Sequence, residues 1–171
     1  MRLRMQRTGV VLAVALGASG FVDSRTASAD PGSDPVCIEP GRYRSAPEMV
    51  TDLQNGNRLW QRRVAVRLSQ PEAARYCADL VVGGVRGFHL PSPEELGSLR
   101  FKAGGLFGGH KHYCVPSIDQ DAFPETPAAE FWTSRTSADG TGWYVGFDDG
   151  RVHKDVQTDA LWVRCVLSPA S

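Results

Sequence analysis

The chain has 171 residues, with 19 basic side chains, 19 acidic side chains and four cysteines. This length suits one ordinary domain with its own core. The balanced charge argues against bulk electrostatic binding of nucleic acid.

The first 29 residues are predicted to be a secretory signal peptide. Three arginines among the first seven residues form a basic start, an apolar stretch follows over 10–22, and Ala-Ser-Ala at 27–29 suits cleavage. An uncleaved anchor is the alternative, but the apolar stretch is shorter than the roughly 20 residues that a spanning helix needs. Cleavage removes four basic residues and one acidic residue, which leaves 15 and 18. We therefore expect a slightly acidic, secreted or periplasmic protein that does not span a membrane.

Residues 30–41 are predicted to be a polar N-terminal tether, followed by a single domain over 42–168. Two early strands are expected at 50–52 and 59–68. They flank the sequence Gln-Asn-Gly-Asn at 54–57, in which Asn-Gly favours a tight turn.

Two capping boxes predict the helices. Ser69 with Glu72 begins a helix that runs to about residue 80, and Ser-Pro-Glu-Glu at 92–95 begins a short helix to about residue 100. The segment 101–114 is predicted to be a loop, because its four glycines weaken any regular element.

The last third of the chain is predicted to be a run of strands. They are expected at 131–135, 143–148, 151–156 and 160–167. Asp149-Gly150 is the sharpest turn signal and joins the second of these strands to the third as a hairpin. Two helices followed by an antiparallel sheet that the early strands join predict an α+β fold.

The four cysteines predict two disulfides, because an even count in an exported chain favours bridges over free thiols. Three pairings are formally open. Helical spacing puts Cys77 on the apolar face of the first helix, and strand alternation puts Cys165 on the face of Leu161. If that strand face is buried, Cys77 pairs with Cys165, and Cys37 then pairs with Cys114 by elimination.

A set of short motifs occurs in the order seen in one bacterial domain family, which is named after the C-terminal domain of the Legionella collagen-like adhesin. The chain resembles this family over residues 42–167. The motifs are 50–52 (Val-Thr-Asp), 59–62 (Leu-Trp-Gln-Arg), 73–77 (Ala-Ala-Arg-Tyr-Cys), 90–92 (Leu-Pro-Ser), 94–96 (Glu-Glu-Leu), 116–119 (Pro-Ser-Ile-Asp), 122–124 (Ala-Phe-Pro), 131–134 (Phe-Trp-Thr-Ser) and 163–166 (Val-Arg-Cys-Val).

The resemblance implies a C-type-lectin-like fold, with two helices packed on a mostly antiparallel sheet and a disulfide from a helix to the final strand. It also implies a non-catalytic binding or adhesion module, since the named adhesin is associated with binding sulfated glycans. The expected partner is a glycan or a cell-surface protein. Neither Glu-Pro-Asn nor Trp-Asn-Asp occurs in the sequence. Those triplets carry the calcium site of true C-type lectins, so calcium-dependent sugar binding is not expected.

The candidate ligand surface is centred on one tryptophan. Three of the four tryptophans, Trp60, Trp132 and Trp162, are predicted to lie in the core because such rings bury a large area. Trp143 follows a glycine-containing turn and is a candidate for stacking on a sugar. The candidate binding residues lie on loops of a rigid scaffold. They are His110, Lys111, His112, Arg135, Trp143, Arg151 and Lys154. A solvated face without a ligand is the alternative.

Catalysis, a cofactor and a bound metal are not expected. No Gly-x-Ser-x-Gly elbow is present, and the adjacent carboxylates at 94–95 and 148–149 are expected to point apart and to serve capping and turn roles. The His-x-His-x-Cys run at 110–114 would suit zinc or copper if its thiol were free. A metal-dependent protein or enzyme that uses this loop is therefore one alternative, and a structural subunit of an envelope assembly is another.

Overall fold

The computed structural model describes residues 37–64, 66–101, 106–107, 110–111 and 114–169, with the backbone alone for 106–107 and 110–111. Contacts divide the chain into Met1–Ser33 and Asp34–Ser171, and every described residue belongs to the second unit. The predicted signal peptide and most of the predicted tether lie outside the described residues. The described elements, in chain order, are β1 (Tyr43–Ser45), β2 (Met49–Asp52), β3 (Arg58–Gln61), β4 (Arg67–Leu68), α1 (Gln70–Asp79), α2 (Pro93–Ser98), β5 (Leu106–Phe107), β6 (His110–Lys111), β7 (Glu130–Thr136), β8 (Thr141–Gly146), β9 (Val152–Val156), β10 (Leu161–Trp162) and β11 (Val166–Leu167).

Both helices begin at the predicted capping boxes. At α2, the Glu95 backbone N–H donates to Ser92 Oγ over 3.1 Å, and Glu95 Oε2 accepts from the Ser92 N–H over 2.9 Å. At α1, Glu72 Oε2 accepts from the Ser69 N–H over 3.1 Å. Proline lies in the first turn of each helix, where its missing N–H costs nothing. The local sequence therefore defines both helix starts.

The strands form two main sheets where one was expected. One has the order β1-β2-β3-β11 and the other β4-β10-β7-β8-β9. All pairs in these sheets are antiparallel except β10 with β7. The mixed α+β class, with two helices and two disulfides, is confirmed.

Two predicted strands are each divided between the sheets. The segment 59–68 becomes β3 and β4, and the segment 160–167 becomes β10 and β11. Arg164 lies at both breaks, since its Nη1 donates to the carbonyl oxygens of Gln61 and Arg62 over 2.6 and 2.7 Å. A fully buried guanidinium needs acceptors, and the two carbonyls at the end of β3 provide them. Alternation of apolar residues did not predict these breaks, because they depend on a distant buried side chain.

A second correction concerns the predicted loop at 101–114. It contains the hairpin β5–β6, in which Leu106 pairs with Lys111 and Phe107 with His110. The two residues between these strands are glycines in the sequence. Gly-Gly favours two-residue hairpin connections, so the glycines that argued against regular structure suit this hairpin.

The five-stranded sheet has a core cluster on each face. Alternation along β7 places Phe131 in the first cluster and Trp132 in the second. Helix α2 and the residue that follows it contribute Leu96 and Leu99 to the first cluster, and α1 contributes Ala73 and Cys77 to the second. Three tryptophans behave as predicted: Trp60 and Trp132 are fully buried, and Trp162 packs against the first cluster.

The two disulfides have the predicted pairing. Cys77 is bonded to Cys165, and both are fully buried in the second cluster. Cys165 lies between β10 and β11 rather than within a strand, and its carbonyl accepts from the Gln61 N–H over 3.0 Å. Cys37 is bonded to Cys114. The bridges therefore connect α1 and the N-terminal segment to distant parts of the chain.

A buried ion pair connects the N-terminal segment to β2. Arg42 Nη2 donates to Asp52 Oδ2 over 2.8 Å, and Asn55 Nδ2 donates to the same oxygen over 2.7 Å. Burial opposes ionisation of Asp52, but the hydrogen bonds from Arg42 and Asn55 outweigh it and hold the pKa of Asp52 below its usual value. Arg42 also donates to the carbonyl of Ser98 at the end of α2 over 2.7 Å. This network attaches the first sheet to α2.

Candidate functional site

Trp143 lies in β8, the neighbour of the edge strand β9 in the five-stranded sheet. It pairs directly with Lys154 of β9, and the Lys154 ammonium lies 4.8 Å from the centre of the indole ring. The Arg135 guanidinium, from β7, lies 5.7 Å from the same centre. Both cations are within cation–π range. We call these three residues, Arg135, Trp143 and Lys154, the Trp143 surface.

The two cations of the Trp143 surface differ in whether a carboxylate forms a salt bridge with them. Arg135 Nη2 forms an ion pair with Glu94 Oε1 over 2.5 Å. The carboxyl group of Glu94 has a lowered pKa, because its own backbone N–H and the Arg135 guanidinium both favour the charged form. Lys154, by contrast, forms no salt bridge with a carboxylate in the described part of the chain. Its charge acts on the Asp139 carboxylate only through a minor coulombic contribution to the lowered pKa of Asp139, so Lys154 carries the more available positive charge.

A strand irregularity in β7 positions Arg135. The register between β7 and β8 shifts between Trp132 and Thr136, and Gln70 Nε2 donates to the carbonyls of Thr133 and Arg135 over 2.7 and 2.9 Å. Thr133 Oγ1 in turn donates to the Trp143 carbonyl over 2.7 Å. One buried glutamine of α1 thus holds the backbone of two residues that contact Trp143.

The Gln70 amide needs a glycine next to Trp143. A Cβ on Gly142 would lie between 2.3 and 2.6 Å from three atoms of the Gln70 side chain. Since neighbours in a strand point to opposite faces, Gln70 acts from the face of the sheet opposite the indole. The sequence did not predict that Gln70 and Glu94 belong to this surface. The one sequence signal for the Gln70 contact was the glycine just before the candidate tryptophan, because glycine within a strand often marks a place where another group comes close to the backbone.

The structure does not bring all predicted binding residues to Trp143. Arg151 is exposed beyond the other end of β8, where its carbonyl accepts from the Gly146 N–H over 2.9 Å. That point is roughly 10 Å along the strand from Trp143. His110 and Lys111 have a described backbone only, in β6, and His112 lies outside the described residues. The candidate surface is thus reduced to Arg135, Trp143 and Lys154 among the described side chains.

The carboxylates at the β8–β9 turn do not point apart, contrary to expectation. The Oδ1 atoms of Asp148 and Asp149 would lie 2.5 and 2.6 Å from a Cβ on Gly146, because both residues belong to a turn rather than to a strand. Asp149 Oδ2 also lies 2.7 Å from Nε2 of His153. Burial opposes ionisation of Asp149, but His153 and the Arg151 N–H outweigh it and lower the pKa of Asp149. A lowered pKa does not suit a general acid at neutral pH.

The metal alternative depends on the His-x-His-x-Cys run at 110–114, of which Cys114 alone has a described side chain. The His-x-His-x-Cys run has no free thiolate, since Cys114 is bonded to Cys37. Across the described part of the chain, no group of three or more His, Cys, Asp or Glu residues is arranged to hold a metal ion.

The described helices also include none with the length and apolar character of a membrane span.

Comparison with known proteins identifies one family. The family described as the Lcl C-terminal domain matches residues 48–167. This range begins just before β2 and ends with β11, and it contains the Trp143 surface. A search of curated proteins found no match.

Proposed function

The chain belongs to the Lcl C-terminal domain family, and on that basis we propose that it is an exported, non-catalytic binding or adhesion module. We propose that its Trp143 surface recognises a negatively charged group on a glycan or a cell-surface protein. One observation carries this proposal. A partly exposed indole lies beside two cations, and one of them, Lys154, forms no close salt bridge with a carboxylate among the described residues.

The chemistry of the surface suits an anionic ligand. A carboxylate or sulfate group would gain a charge-assisted hydrogen bond from Lys154, and the indole offers apolar area beside it. Arg135 is paired with Glu94, so a ligand must compete with that carboxylate for the guanidinium. Lys154 therefore contributes more to affinity than Arg135. Because these groups are exposed, added salt weakens the attraction.

The fold and the compartment form part of the same proposal. A helix joined by a disulfide to the C-terminal segment, beside mostly antiparallel sheets, supports a C-type-lectin-like fold. Two disulfides support an oxidising compartment. Together with the predicted signal peptide, they favour a secreted or periplasmic protein. Lowered carboxyl pKa values at Glu94 and Asp149 favour a role without acid catalysis.

A glycan array with neutral and sulfated oligosaccharides tests the proposal. We expect sulfated probes to bind the wild-type protein, and Lys154→Ala to weaken binding about tenfold, the loss of one charge-assisted contact. Trp143→Ala should weaken it as well. Arg75→Ala, which removes an exposed arginine on α1, is the matched control and should change nothing. A cell-surface protein probe is then tested with the same variants. Binding that Lys154→Ala and Trp143→Ala both leave unchanged would refute the role of this surface.

A further inference from the structure

β9 is an edge strand whose outer backbone groups face away from its partner. In the described part of the chain it pairs with β8 alone. The Gly146 N–H donates to the Arg151 carbonyl. Because hydrogen-bonded pairs alternate in an antiparallel ladder, residues 153 and 155 bond to β8. The N–H and C=O groups of Val152 and Lys154 therefore point away from it.

The next outward position along β9 is already satisfied. The Val156 N–H donates to Asp155 Oδ1 over 2.7 Å, and the Val156 carbonyl accepts from the Asp159 N–H over 3.0 Å. The part of the edge with free backbone groups therefore ends before Val156. It presents four backbone groups, two donors and two acceptors, on Val152 and Lys154. An added antiparallel strand would form four hydrogen bonds there.

The side chains of β9 give this edge a chemical pattern. Val152 is 36% exposed and Val156 is 52% exposed. They share one face with Lys154 because residues two apart in a strand point the same way. Trp143 lies on the same face, directly across from Lys154. The outer strip therefore alternates apolar, basic and apolar, and continues into the Trp143 surface.

We propose that this edge binds an extended protein segment as an additional antiparallel strand, with an acidic residue opposite Lys154 and apolar residues opposite Val152 and Val156. The inference rests on the proposed function and assigns a protein partner to the same site. Charge complementarity selects this occupant. A second copy of β9 would place no carboxylate opposite Lys154, because the strip itself contains none. A glycan would leave the four outward backbone groups without strand partners.

The test uses the whole protein and a seven-residue peptide, acetyl-Thr-Val-Thr-Glu-Thr-Val-Thr-amide, titrated by calorimetry. A peptide with lysine in the central position is the matched control. We expect the glutamate peptide to bind about tenfold more tightly, the value of one charge-assisted contact. Lys154→Glu should reverse this preference. On peptide binding, hydrogen exchange should slow at the amides of Val152 and Lys154, which face the added strand.

A proline substitution tests the backbone contribution. Val152→Pro removes an outward N–H and leaves the bonds to β8 intact, as prolines on edge strands do. It should weaken binding of the glutamate peptide by about tenfold. If this variant does not fold, the charge reversal at Lys154 decides the question by itself.

Several results would overturn strand addition while leaving the proposed function in place. One is a sulfated oligosaccharide that binds through Lys154 while the glutamate peptide does not bind. Another is peptide binding with no added protection of the two amides. Self-association that Val152→Pro abolishes would make the edge an interface between copies and refute the peptide partner. If neither the peptide nor the oligosaccharide binds, both the inference and the proposed function fail.

Discussion

Removing each disulfide in turn distinguishes chain entropy from core packing. The two double variants are Cys77→Ala/Cys165→Ala and Cys37→Ala/Cys114→Ala. The bridges span 88 and 77 residues. In the chain-entropy model both lengths predict a loss of about 4.5 kcal/mol in the free energy of unfolding, because the dependence on length is logarithmic. Loop length alone therefore predicts almost equal effects.

Burial makes the two variants unequal. Cys77 and Cys165 are both fully buried in the second core cluster, whereas in the other bridge Cys114 is buried and Cys37 is only half-buried. Replacing the two buried sulfur atoms by hydrogen leaves a small cavity, which adds about 1–2 kcal/mol. We expect the Cys77/Cys165 variant to lose about 6 kcal/mol and the other about 4.5 kcal/mol. The larger loss is comparable to the whole stability of a typical domain, about 5–15 kcal/mol.

Urea unfolding followed by tryptophan fluorescence measures both losses. The wild-type protein is kept oxidised, and the slopes of the transitions are compared, since a changed slope indicates an altered unfolded state. A Cys77/Cys165 variant that is unfolded without urea agrees with the prediction. Equal losses, or a larger loss for the Cys37/Cys114 variant, would show that burial of the first bridge does not contribute. A loss below about 2 kcal/mol for both would refute the entropic reasoning.

Three further predictions concern buried polar groups. Asp52 has a folded-state pKa below the unfolded value of 3.8, so its contribution is present at neutral pH and is lost as the pH falls below about 4. Asp52→Asn removes one carboxylate from the buried Arg42 and leaves Glu39 as its remaining carboxylate partner. It should cost about 1–3 kcal/mol, with a shallower stability loss between pH 5 and pH 2 in acid titrations of unfolding. Gly142→Ala should cost about 1–3 kcal/mol by overpacking against Gln70, but under about 0.5 kcal/mol when added to Gln70→Ala; a full cost in both backgrounds would contradict the contact. Arg164→Met removes the guanidinium donor from the buried Gln61 carbonyl and the partly buried Arg62 carbonyl. It should cost about 2–4 kcal/mol, whereas a neutral result in urea unfolding would show that water replaces the guanidinium.

Local sequence was sufficient to predict where both helices begin and how the four cysteines pair. The capping boxes at Ser69 and Ser92 act within one turn, so the sequence alone locates both helix starts. The faces of Cys77 and Cys165 follow from regular periodicity, which persists along the C-terminal segment even where it leaves the strand conformation. The burial of Trp60 and Trp132 follows from the large apolar area of the indole.

Tertiary structure decided what depends on residues far apart in the chain. Arg164 lies where two predicted strands are divided, because its buried guanidinium donates to carbonyls more than 100 positions away. No local sequence pattern predicts those hydrogen bonds. Gln70 holds Arg135 beside Trp143 from 65 residues away, so the candidate surface could be suspected from its tryptophan but not assembled. The open edge of β9 likewise became visible only with the strand order. Periodicity in the sequence predicts which face of a helix or strand is apolar. The hydrogen-bond partners of buried polar groups depend instead on how the whole chain packs.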